Sequence, residues 1–483
     1  MKRAVHPLLL TLIAIAQGTP WVLAAGQIAV VQSSDAGKPS EANKAPVVKL
    51  VLHPAAEPRP ALKYQLLPPI MDRRPGNAAV LYGKVTAEQL PFFGNEEQWE
   101  KIVKWIDTPL AEFPREEARK VLGGVRFQDL DRAARCEYCD WQLPLRDEPF
   151  YEILLPELQQ TRTFGRLLAA KTRLEIAEGR FDEAVHTLQT GYALARHAGE
   201  GQTLINALVG MAIANMMSKQ VETLAQQPGA PNLYWALTEL PDPLVDMRPG
   251  IEAEWAMIYL SYPDLRDLDK KDYSAEQWRE RLNKLTGAIL SFTDGAPKIS
   301  SELITTALAM TGYPMAKQGL VDQGLKPEEV EAMPVPKVIL LYTMRTYEKL
   351  RDDIFKWFAV PYPQAVTGME KAQAELNSGL RREVIPFASM LLPAVRAAHS
   401  AGARSERAIA ALRVIEAIRL YGAAHHGNLP EKLSEITEVP VPNDPTSGKP
   451  FTYRRTGTTA ILESPGGKRY GLRYEITFAP KGK

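Results

Sequence analysis

Cysteine is almost absent from this chain: two in 483 residues, Cys136 and Cys139, both in the stretch RCEYCDW. So few exclude a disulfide framework as the source of stability, and the fold must rest on apolar burial, for which a hydrophobic fraction of 45% is ample. An excess of one charge is missing too. Lys plus Arg (58) nearly balances Asp plus Glu (57), a formal net charge of +1. A chain this neutral has no global field to gather polyanions, so nucleic acid is not an expected partner. Past the N-terminus, long apolar runs are lacking as well, because Lys, Arg, Asp or Glu interrupts every candidate. No integral membrane span is expected once a signal segment has been removed. Common reaction motifs are missing: there is no G-x-S-x-G, S-x-x-K, H-E-x-x-H or Walker lysine loop. GEGQTL at 199–204 starts like a dinucleotide turn but has Leu204 where the third glycine belongs.

What is present begins with an export signal. Lys2 and Arg3 precede an apolar stretch over 7–16 and a small-residue cleavage pattern at 22–24, so residues 1–24 read as a signal peptide and the mature chain as extracytoplasmic, periplasmic or secreted. Residues 25–75, rich in Pro, Ala, Ser and Lys, read as a flexible leader with one short strand at 47–52.

Helical signals dominate 76–383, which is expected to be an all-helical domain. Asn95 followed by Gln98 opens NEEQWEKIVKWID as a capping box; Pro114 suits a first helical position, and Gly123 a left-handed stop. Leu167, Ala170, Leu174 and Ala177 form one stripe at helical spacing. After Gly179, a second runs through Phe181, Ala184, Val185, Leu188, Tyr192 and Ala195. Two such helices on so short a turn must pack antiparallel. Helices are also predicted over 203–226, apolar all round and so central, over 275–292, and through 338–360. Residues 384–483 are expected to form a long helix over 384–426 and a small β module from FTYRR, TAILES and YGLRYEITF. The fold class is therefore mainly α, packed helical hairpins with a small C-terminal α+β module.

Three resemblances accompany this reading. GRFDEAV at 179–185 resembles the turn and second-helix start of a tetratricopeptide hairpin, with Ala184 as the small packing residue; Lys171 and Thr172 depart from that pattern, and no second copy surrounds Ser218. The tail, with Leu420-Tyr421, Gly427-Asn428-Leu429-Pro430, Asn443-Asp444-Pro445, Gly448, Pro450-Phe451 and Tyr453, is similar to the globular part of type II secretion pseudopilins. That resemblance implies a local helix-plus-hairpin fold. Over most of its length, through LKYQLLPP, PGNAAVLYGKV, YCDWQLPL, LQTGYALARHAGEGQTLINALVGMAIA and LLYTMRTYEKLRDDIFKWFAVPYPQA, the chain resembles large secreted proteins of planctomycete bacteria.

Candidate site residues are few. Cys136 and Cys139 admit a structural disulfide, two reduced and partly buried thiols, or redox or metal chemistry, in that order. The preceding helical FQDLDRAAR argues against a thioredoxin-type site, and Asp140 stands where haem attachment needs His. His186 and His197 lie three turns apart on one helix, too far to share a ligand. PDLRDLDKKD lacks the glycine and terminal Glu of a calcium loop. Asp444 is a weak calcium candidate by its place in the pseudopilin-like tail, with only Glu463 following at useful distance. Glu252 and Glu254 are an acid pair of the kind chance supplies. No cofactor is expected. The function that follows is an exported helical scaffold with a protein or cell-envelope partner. Its alternatives are an exported enzyme with a carboxylate- or cysteine-based site and an accessory of envelope secretion.

Overall fold

Two hydrophobic cores, joined by a long helix that takes part in both, organise the chain. The computed structural model describes residues 47–146, 155–291, 301–379, 383–385, 387–388, 392–465 and 471–480, and the fold is stated for these. The expected signal peptide lies outside them. In chain order the helices are α1 (Ala78–Glu88), α2 (Leu90–Phe93), α3 (Glu96–Asp107), α4 (Arg115–Leu122), α5 (Phe127–Ala134), α6 (Pro156–Ala177), α7 (Phe181–Gly199), α8 (Leu204–Ala225) and α9 (Tyr234–Thr238). They continue as α10 (Arg248–Ser261), α11 (Ala275–Ser291), α12 (Ser301–Asp322), α13 (Pro327–Glu331), α14 (Val335–Phe355), α15 (Tyr362–Gly379) and α16 (Pro393–Ala424). The protein is mainly α, as its periodicity predicts.

Local chemistry sets these boundaries. Asn95 Oδ1 accepts from the Gln98 amide at 3.1 Å and caps α3. Thr203 caps α8 through the Asn206 amide at 3.2 Å. Between α6 and α7, Gly179 takes φ +73° and the Arg180 amide reaches back to the Glu175 carbonyl at 2.9 Å, a six-to-one closure that only a left-handed residue permits. Gly123 departs from expectation: it is right-handed at φ −60° because the next amides keep bonding backwards, Gly124 to Val121 and Val125 to Leu122, leading straight into α5.

The first core packs α6, α7 and α8 together, with α8 central, since α10 and α16 lie against it as well. Close approach is set at Gly191, where a Cβ would stand 2.1 Å from Met217 Sδ, and at Gly210, where it would stand 2.5 Å from the Ala195 carbonyl. The second core draws on α10–α15 and the start of α16, around Trp278, Leu282, Val338 and Leu340.

The strand expected at 47–52 is present, and a further pair that was not expected lies at 74–77 and 136–138. β1 (Val48–Leu52) pairs parallel with the last strand; β2 (Arg74–Asn77) pairs parallel with β3 (Cys136–Tyr138); β4 (Asn443–Asp444) pairs with β5 (Lys449–Pro450). β6 (Thr452–Thr456), β7 (Thr459–Glu463) and β8 (Arg473–Phe478) complete a four-stranded sheet in the order β1-β8-β7-β6. Leu50 and Leu52 enter the core from β1 while Lys49 and Val51 face out, the alternation of a half-buried strand.

Three expectations are corrected here. Residues 47–75 are not a flexible leader: β1 is a sheet strand, Leu66 is buried, and the Arg419 guanidinium holds the His53 carbonyl at 2.9 Å. A division at 383/384 does not separate the cores, because the first core takes residues from 50 to 245 and again from 410 to 476, while 258–398 form most of the second. The long helix begins at Pro393, not at 384; Val384 and Ile385 are buried outside any helix, and prolines at 386 and 393 supply no amide to continue one through them.

Arg419 ties these pieces together. Fully buried, it donates to Glu416 at 2.8 and 2.9 Å, to the Ala230 carbonyl at 2.8 Å and to the Pro231 carbonyl at 3.0 Å. One side chain thus joins α16, the segment after β1 and the loop before α9.

Candidate functional site

The RCEYCDW segment forms a strap across the C-terminal half of α7. Extended pairing with β2 shapes it: the Arg74 amide donates to the Arg135 carbonyl at 2.8 Å, and Asn77 lies level with Tyr138. Asn77 does two jobs. Its Oδ1 accepts from the Ala79 amide (3.1 Å), capping α1, and from the Asp140 amide (2.9 Å), while its Nδ2 donates to the Asp140 carbonyl (2.8 Å). From α7, His197 Nε2 donates to the Cys136 carbonyl at 3.1 Å. A carbonyl can only accept, so Nδ1 is the bare nitrogen, and it accepts from the Tyr82 hydroxyl at 3.1 Å. The Trp141 indole N–H donates to the His197 carbonyl at 2.9 Å and the Cys139 amide to Glu200 Oε2 at 2.7 Å. Tyr82 stacks on Trp141 with centroids 6.0 Å apart.

The thiols are free and buried, so the expected Cys136–Cys139 disulfide is corrected. Backbone geometry explains it. Three residue steps in extended conformation carry Cα atoms about 10 Å apart, beyond the ~7 Å a disulfide spans. Burial raises both thiol pKa values, and the Glu200 carboxylate pushes Cys139 the same way. Both are therefore held as thiols, the inert form. Burial, then the Arg196 charge, lowers His197 to about 4, so it is neutral, as its hydrogen bonds require. Glu200 is raised by burial against the opposing Cys139 amide and Arg196. The loop is held shut by hydrogen bonds.

Beneath the strap lies a cavity of about 190 Å³ whose polar lining includes Arg73, Glu137, Arg196 and His197. Its outer wall leads into a surface turn, residues 70–72, braced from several sides. The Asp72 amide donates to the Pro69 carbonyl (2.9 Å), Arg73 Nε to the Pro68 carbonyl (3.0 Å), and Asp72 pairs with Arg135 (3.3 Å). Arg135 is anchored by Asp131 at 2.9 Å, and His186 meets the same carboxylate at 3.0 Å. Burial pushes Asp131 up, but His186 and Arg135 outweigh it and hold the carboxyl well below the usual range. On this braced turn Ile70 and Met71 are 79% and 90% exposed, and Tyr138, on the adjacent strand, is 51% exposed.

The other sequence candidates lie apart from this region. Asp444 is fully buried and its carboxylate is taken: Oδ1 accepts from the Thr446 amide and hydroxyl, each at 2.7 Å, and Oδ2 from Ser464. Glu463 turns instead to Arg454 at 2.5 Å and Arg473 at 3.6 Å, so Asp444 is a turn-locking acceptor and its calcium candidacy is corrected. Among the described residues no group of three or more His, Cys, Asp or Glu is placed to hold a metal. Glu254 accepts from the Leu204 amide while Glu252 is exposed, so the acid pair does not converge. In PDLRDLDKKD, Asp267 pairs with Lys270 at 3.0 Å and Asp264 with Arg281 at 3.3 Å. Sequence reasoning missed the turn. Its signal was an apolar pair followed by an arginine pair, IMDRR, inside a stretch read as leader.

No protein-family model matches the chain, and no curated protein and no solved structure shows significant similarity to it. Fold and site define a mainly α protein with two cores, a closing four-stranded sheet and a braced apolar surface turn.

Proposed function

We propose that this protein is an exported helical scaffold that docks onto a partner in the cell envelope through the 70–72 turn. One observation carries the reading: Ile70 and Met71 are large apolar side chains held out into solvent by a turn whose own backbone is fixed. Exposing both sacrifices about 3 kcal/mol or more of burial free energy, and a braced turn keeps them from folding back. Ordering entropy is already lost before any partner arrives, which favours binding. The cysteine-enzyme alternative has less support, since burial holds both thiols protonated.

The test is fractionation of producing cells with wild type and an I70D/M71D variant. Wild type is expected with the envelope fraction and the variant in the soluble extracytoplasmic fraction, at unchanged melting temperature. Equal distribution of the two proteins refutes the reading.

A further inference from the structure

The chemistry around the turn specifies the kind of partner. Ile70 and Met71 are followed, after Asp72, by Arg73 and Arg74, both exposed. Among the described residues neither arginine has a carboxylate within ion-pair distance; Arg73 spends its Nε on the Pro68 carbonyl, and its two terminal amino groups have no hydrogen-bond partner among the described residues. The neighbouring acids are mostly committed: Asp72 to Arg135 and Glu200 to Arg196. Glu137, exposed and lining the cavity with Arg73, has no ion pair among the described residues. Resting on the docking reading above, we infer that the partner is the surface of an anionic phospholipid bilayer, entered by Ile70 and Met71 with Arg73 and Arg74 at the level of the phosphates.

Several features favour lipid over a protein groove. Protein hot spots are dominated by Trp, Tyr and Arg seated in desolvated pockets; here two apolar side chains without rings project from a narrow turn, a shape that a fluid acyl layer accepts without prior complementarity. Guanidinium groups pair bidentately with phosphate oxygens. Tyr138, half exposed on the next strand, carries the apolar body and polar tip that suit the headgroup region. Two inserted side chains give shallow, reversible attachment, in keeping with a chain none of whose described helices is long and apolar enough to cross a membrane. With a net charge of +1 on the whole chain, attraction must come from this local pair and be screened by salt over about 10 Å.

Flotation of the purified full-length exported chain with vesicles tests the inference, using phosphatidylcholine alone and phosphatidylcholine with phosphatidylglycerol. Wild type is expected to float with the anionic vesicles and to be released by salt. M71D should lower the partition on the order of tenfold or more, and R73S/R74S should bring binding to anionic vesicles down to the level of neutral ones. Failure of wild type to bind anionic vesicles, or binding unchanged by M71D, overturns the inference. The docking reading is judged separately. If vesicles are not bound but I70D/M71D still frees the protein from the envelope fraction, the partner is not lipid and docking through the turn stands.

Discussion

Replacing Glu254 by Gln should stabilise the protein at alkaline pH and leave it unchanged in mild acid. Glu254 lies on α10, where the chain leaves the first core for the second. Part of its stem is exposed, but its carboxyl is enclosed, with the Leu204 amide as hydrogen-bond donor and the Tyr347 phenol nearby. Arg351, which also lies near Tyr347, is committed to Asp352 at 2.9 Å and to the Trp255 carbonyl at 3.2 Å. Burial therefore dominates and raises the carboxyl from 4.5 to about 7. A raised folded value means that the group's contribution is fully present below 4.5 and lost as pH climbs through about 7. At 1.36 kcal/mol for each tenfold change, the loss approaches about 3 kcal/mol. Gln keeps the acceptor for Leu204 and has no proton to lose, so E254Q and wild type should match near pH 4.5 and separate by about 2–3 kcal/mol at about pH 8. Urea unfolding across that pH range reads the difference directly. The histidines that burial lowers to about 4, His197 and His399, act in the opposite direction, contributing above 6.5 and fading as pH falls toward 4; because both proteins contain them, they cancel in the comparison. A stability difference that does not vary with pH refutes the argument.

Arg419→Leu should destabilise by about 3–5 kcal/mol, since it leaves Glu416 buried without its cation, and the double variant with Glu416→Leu should recover part of that in chemical denaturation. Cys136 and Cys139 should resist alkylation in the native protein at about pH 8 and react readily in denaturant, as measured by mass spectrometry; fast native labelling would contradict the burial that raises their pKa values.

Much that depends on neighbours along the chain was legible in the sequence, though not the right-handed Gly123. Asn95 caps the helix it precedes, the stripes on either side of Gly179 pack as a hairpin, and Trp278 lies buried in the helix predicted over 275–292. Partners distant in sequence were not. The alternation in VKLVL is visible, but its mate β8 lies at the opposite end of the described chain, and no local rule joins them. Glu416 and Arg419, three apart on a helix, have the spacing of an ordinary surface pair; only the fold shows that the arginine is surrounded by the carbonyls of His53, Ala230 and Pro231. The Ile70–Met71 turn was hidden by its proline-rich context, which suggested a leader where the β2–β3 pair and the Asp72–Arg135 contact in fact fix the backbone.

The strap and the turn form one mechanical unit, and this decides what the cysteines are for. Glu200 and His197, at the end of α7, grip Cys139 and Cys136 through their backbone atoms; the strap, as β3, holds β2; and Arg135, at its start, holds Asp72 within the turn that presents Ile70 and Met71. Each link is a hydrogen bond or ion pair from a buried or half-buried group, so the exposed pair is referred back to the centre of the first core without a covalent bridge. The thiol side chains add packing and one weak bond, Cys136 Sγ to the Arg132 carbonyl at 3.8 Å, and alanine at either position should leave docking intact. Asn77 is different, because it joins α1 to Asp140 through three hydrogen bonds. Its loss would loosen the frame that holds the turn while touching no partner, weakening attachment through the turn's geometry and not through its contacts.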